Sequence, residues 1–98
     1  MRRDIAYVNT AIWRDATFRS LSIPAQLVFL YLLTSPHATS PGVVQAYDVT
    51  MARDVGMQLR RFRRLVAQLE DAGMVECDWA ASVVSVLGMG RYGKGRVA

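Results

Sequence analysis

The feature that most constrains this chain is the segment QLRRFRRLVAQLEDAG, residues 58–73. Leu59, Phe62, Leu65, Val66 and Leu69 recur at helical spacing, so one face is apolar and the opposite face polar. Gly73 follows as a left-handed terminator, and the spacing predicts a helix over 58–72. With Phe62 and Leu69 turned inward, Arg60 and Arg64 point outward and Arg61 and Arg63 lie on the flanks. No acid lies between Gln58 and Gln68, so nothing inside this stretch offsets the repulsion among the four arginines. An external anion would relieve it; the bland alternative is a solvated face with charge pairs elsewhere.

The residues just upstream fit that helix into a larger unit. A second helix, beginning at Asp48 or Thr50 and running to about Val55, is interrupted by Gly56. Ala52 lies four residues before the glycine, small enough for two helices to cross closely, and Gly56 supplies a left-handed backbone for the turn. Val55 and Met57 flank it as buried residues, and Phe62 and Leu65 fall where the two helices should pack. These six positions agree on a helix-turn-helix, against the alternative of an ordinary helical hairpin.

Further upstream, Ser22 caps a helix with Pro24 in its first turn, running to about Ser35 before Pro36. This first helix is apolar all round: Leu27, Leu30 and Tyr31 share one face and Val28, Phe29 and Leu32 the other, so both need cover. Ile5, Tyr7, Val8, Ile12, Trp13 and Phe18 predict an amino-terminal brace, a short strand and a helical turn packed on the body. The run SPHATSPG, residues 35–42, reads as a loop, followed by a short extended piece at 43–46. After Gly73, MVECDW and SVVSVL predict a two-stranded hairpin, with a short uncharged tip and with Trp79 packing against the third helix.

A chain of 98 residues, 52% hydrophobic, is sized for one domain. Its boundaries read as a brace over 1–20, a body over 21–88 and a basic, glycine-rich tail over 89–98. Lys and Arg number 12 against 8 Asp and Glu, a net charge of +4, and every basic residue but Lys94 is arginine. Guanidinium forks grip phosphate or guanine with two hydrogen bonds, so the balance favours an anionic partner, foremost nucleic acid. A GC-rich genome produces the same arginine excess. In the tail, Arg91, Lys94 and Arg96 could add phosphate contacts or merely solubilise, and Arg2 and Arg3 carry the same ambiguity.

Other chemistries find little support. Cys77 is the single cysteine, which rules out a disulfide framework within one chain and reads as a small strand residue. His37, the single histidine, sits in a turn-rich loop without a fellow ligand or the members of a catalytic set, and is expected to bond loop backbone. Gly88, Gly90 and Gly93 spell G-x-G-x-x-G, and Gly88 with Gly93 and Lys94 resembles a P-loop. Neither has the helix that should follow, and Gly95 stands where a P-loop needs Ser or Thr. No apolar run approaches the roughly 18 residues of a spanning helix, and no signal-peptide core follows MRRDIAYVN. The expectation is a cytoplasmic protein that is not an enzyme, without cofactor, metal, membrane or small-molecule substrate.

The stretch 7–87 resembles the amino-terminal winged-helix domain of phage replisome organisers and DnaD-like replication initiation proteins. The resemblance rests on NTAIWRDATFRSLS, PAQLVFLYLLTSPH, the short GVV strand and LEDAGMVE. It implies an α+β winged helix-turn-helix, with a three-helix core, a short β-hairpin wing and the amino-terminal brace. In that family the domain binds DNA or mediates self-association, and phage and bacterial transcription regulators use similar folds. The expected role is thus recognition of duplex DNA in phage replication or transcription regulation, through Gln58, Arg60, Arg61, Arg63, Arg64 and Gln68, with Arg91, Lys94 and Arg96 assisting. The alternative role is a protein-interaction or oligomerisation module. A homodimer is the further expectation, from the all-round apolar first helix and the aromatic-rich brace.

Overall fold

The structure, a computed structural model, describes residues 5–88. It is a mixed α+β arrangement of four α-helices and a small antiparallel sheet of four strands. The order is a 3-10 turn (Thr10–Arg14), α1 (Ala16–Ser20), α2 (Ile23–Thr34), β1 (Ala38–Ser40), β2 (Val43–Gln45), α3 (Asp48–Asp54), α4 (Leu59–Asp71), β3 (Val75–Asp78) and β4 (Val83–Val86). This order is compatible with a winged helix.

Local capping chemistry explains the helix bounds. Ser22 Oγ accepts the Ala25 N–H at 3.3 Å, and Pro24 stands where its missing N–H has no intrahelical partner to lose. Both α3 and α4 end in the same motif. The amides of Gly56 and Met57 donate back to Arg53 and Ala52, as those of Gly73 and Met74 donate back to Glu70 and Leu69. Gly56 has φ +71° and Gly73 φ +76°, and a Cβ at either would meet nothing within 4 Å. Glycine is there for its backbone freedom and not for space.

The brace is built differently from the expectation of a strand and a turn. Only Val8 adopts strand-type bridging; the rest is the 3-10 turn and α1, started by Asn9 Oδ1 on the Ala11 N–H and Asp15 Oδ2 on the Phe18 N–H, each at 2.9 Å. Ile12 and Phe18 are buried, and Phe18 meets Trp13 edge-on at 5.6 Å and Phe29 of α2 at 6.1 Å. Gln26 Nε2 donates to the Phe18 carbonyl at 3.0 Å, which ties brace to helix.

The sheet enlarges the expected two-stranded hairpin. Strand order is β1-β2-β4-β3, so β4 pairs with β3 on one side and with β2 on the other. The segment 35–42, expected as a loop, contains β1, whose Ala38 faces Val44 across an irregular register. Its turn-forming residues serve the ends of the strand: Gly42 takes φ +77° between β1 and β2, and its carbonyl accepts the Val86 N–H at 2.7 Å. Pairing with β2, and not the intrinsic preference of Ala-Thr-Ser, makes this segment extended.

One hydrophobic cluster joins all layers: Phe18 from the brace, Phe29, Leu32 and Leu33 from α2, Met51 from α3, Phe62, Val66 and Leu69 from α4, and Val44 and Val84 from the sheet. Ala52 is buried at the α3–α4 crossing as expected, whereas Val55 and Met57, expected as buried, are only half-buried. The apolar faces of α2 are not equally covered. Val28, Phe29 and Leu32 are sealed, Leu30 and Tyr31 half-buried, and Ile23 and Leu27 remain 79% and 48% exposed.

Candidate nucleic-acid interface

The outward face of α4 follows from which residues it buries. Phe62, Leu65, Val66 and Leu69 lie inside, so the opposite ridge carries Arg60, Arg64, Ala67 and Asp71, all exposed. Arg61 is exposed on one flank and Gln68 is half-buried beside it; Gln58 is the exposed N-cap. Its side chain makes no capping bond, and the first turn contains no acid. Among the described residues Arg60, Arg61 and Arg64 form no ion pair.

Arg63 departs from the expected set of free arginines. Its guanidinium bonds the Asp48 carboxylate, with Nε donating at 2.6 Å, and its Cζ sits 5.8 Å from the centroid of the Trp79 ring. The acid missing from α4 is supplied by the first residue of α3. Trp79 lies against α4 as expected, its ring 6.3 Å from that of Phe62. Arg63 thus clamps α4 to the start of α3 and the end of β3, and three arginines remain free where four were expected. Arg91, Lys94 and Arg96, and likewise Arg2 and Arg3, lie outside the described residues.

Charge along α4 runs against the helix macrodipole at both ends. Arg60 and Arg61 occupy the first turn, where the positive end favours acids, while Glu70 and Asp71 occupy the last. Each such placement opposes the dipole by typically about 0.3–1 kcal/mol at the surface. At the far end Glu70 has a structural use: its Oε2 accepts the Cys77 N–H of β3 at 3.1 Å. No comparable protein contact explains Arg60 and Arg61 among the described residues.

Two polar groupings lie away from this ridge. Tyr31 Oη donates to Asp54 Oδ2 at 2.6 Å, and His37 Nε2 lies 3.0 Å from the same oxygen. His37 therefore bonds a side chain at the end of α3, not loop backbone as expected; its own N–H donates to Ser35 Oγ at 3.1 Å. Burial, and next the hydrogen bond to Asp54, push the Tyr31 hydroxyl pKa up. The second grouping is an open groove of about 620 Å3 along the hairpin, lined by Glu76, Cys77, Asp78, Trp79, Ala81, Val83 and Ser85. Burial first, then Glu70 and Asp78, push the Cys77 thiol up to about 12. Its carboxylates make the groove a poor host for an anion, the opposite of the α4 ridge.

Among the described residues no group of three or more His, Cys, Asp or Glu could hold a metal ion, and no helix is long and apolar enough to cross a membrane. Comparison of the chain with protein-family models, with curated proteins and with solved structures yields no match.

Proposed function

We propose that this chain is a winged helix-turn-helix domain that binds duplex DNA, with the amino-terminal half of α4 entering the major groove. In this reading α3, the Gly56 turn and α4 are the helix-turn-helix, and β3–β4 is the wing. The observation that carries it is the ridge of α4: Arg60, Arg61 and Arg64 are exposed without an acid partner among the described residues. Two of them also oppose the helix dipole, an arrangement that a phosphate would turn from unfavourable to favourable. Asp71 at the other end of the ridge directs the anion-seeking surface to the first two turns, the part of a recognition helix that reaches bases.

The role is recognition without catalysis, in phage replication initiation or transcription regulation, the setting drawn from the resemblance of 7–87 to replisome organisers. A second reading, an interaction or oligomerisation module, is favoured by the exposed Ile23 and Leu27 on a helix without a single charge. Fluorescence anisotropy with a labelled duplex, over a range of salt concentrations, separates the two. DNA binding is expected to weaken steeply with salt, the Arg60→Ala, Arg64→Ala double variant to bind far more weakly, and Arg61→Ala to lower the log–log slope by about one. Absence of binding to any duplex at low salt would abandon the DNA reading for the second.

A further inference from the structure

The ridge of α4 also bears on which bases are read, an inference that rests on the DNA-binding reading. We infer that Arg60 and Arg64 each recognise a guanine, so that the preferred duplex carries two guanines one or two base steps apart. The two residues are separated by four positions, about 6 Å along the helix axis, and lie on one ridge. Recognition helices reach successive bases with residues three or four apart, which matches this spacing to neighbouring base pairs. In the major groove guanine alone offers the O6 and N7 acceptor pair, which a guanidinium fork takes with two parallel bonds.

The neighbouring side chains exclude other assignments. Ala67, next along the ridge, is too short to compete and lets the helix approach closely. The glutamines, which would pair with adenine, stand off the ridge: Gln58 is at the N-cap and Gln68 on a flank, half-buried. Arg61 projects from the same flank, where sugar and phosphate are nearer than base edges. Arg63 is occupied by Asp48 and Trp79 and reads nothing. Guanine contact by Arg60 and Arg64, backbone contact by Arg61 and a structural role for Arg63 divide the four arginines into three distinct duties.

Selection of bound duplexes from a random pool by the full chain tests this, followed by anisotropy on the selected site with 7-deazaguanine at each guanine in turn. Two guanines are expected at the stated spacing, and loss of one N7 is expected to weaken binding about tenfold. Arg60→Ala should erase the preference at one guanine and Arg64→Ala at the other, while Arg61→Ala lowers the salt slope by about one and leaves preference intact. Selected sites without guanine enrichment, or equal affinity for the 7-deaza duplexes, overturn the inference while salt-dependent binding keeps the DNA reading standing. Absence of binding to any duplex at low salt overturns both.

Discussion

The two longest helices, α2 and α4, pack against each other in one core yet follow opposite rules of composition. The 12 residues of α2 include no charge, and apolar side chains ring it; the 13 residues of α4 divide cleanly into a buried face and a charged ridge. The brace walls one side of α2, with Phe18 against Phe29 and the Phe18 carbonyl accepting from Gln26, while Ile23 and Leu27 stay exposed. No second wall covers the ridge of α4 among the described residues, where Arg60 and Arg64 stand exposed. Composition around a helix thus records how many sides are covered, and by what.

Substitutions on a buried and on an exposed face give the sharpest contrast. Phe29→Ala in α2 empties a fully buried site between Phe18 and the helical core, and urea unfolding should show a loss of about 3–5 kcal/mol. Arg64→Ala on α4 should shift the same measurement by no more than about 0.5 kcal/mol while weakening DNA binding. A large stability loss at Arg64 would mean that the ridge is part of the scaffold. Next in size is Gly56→Ala, in the turn that aims α4. No atom blocks the new Cβ, but φ +71° strains any L side chain, and about 1–2 kcal/mol should be lost. Gly56→Asn should lose less.

A smaller effect tests the clamp. Asp48→Asn removes the carboxylate from Arg63, a pair half open to solvent on the arginine side, and should cost about 1 kcal/mol or less. If α4 meets DNA, the released guanidinium should raise the salt slope by about one, converting a structural arginine into a binding one. The smallest effect concerns Cys77. Its folded pKa of about 12 lies above the ordinary 9.0, so its stabilising contribution is complete below about pH 9 and is lost as pH rises toward 12. At pH 8.5 iodoacetamide should therefore alkylate the native thiol far more slowly than the urea-unfolded one, with no accompanying change in stability.

Much of the helical framework was legible because its signals are local. Ser22 with Pro24, Gly56 and Gly73 each set a helix end through atoms within a few residues, and the observed bounds fall within one or two residues of those expected. The outward position of Arg60 and Arg64 follows from helical spacing in the same way. What escaped depends on partners far along the chain. Asp48, 15 residues from Arg63, becomes its partner only when α3 folds back on α4, so a search for acids within the helix could not find it. His37 meets Asp54 by the same kind of long-range approach, 17 residues away. The strand β1 hid among turn-forming residues because its extended backbone is imposed by β2, and the expected strand in the brace gave way to capped helical turns at Asn9 and Asp15.

The bond from Glu70 to the Cys77 amide has a consequence for the solution behaviour of the chain. Strand β3 is the outermost of its sheet on that side, and an outermost strand with idle amides invites a neighbouring molecule to continue the ladder. Here a carboxylate already occupies the middle of the row, and exposed Glu76 and Asp78 bracket it with like charge. An intruding strand would have to evict one anion and settle between two more. The acid that sits badly for its own helix thereby makes this one edge of the sheet a poor template for a further strand.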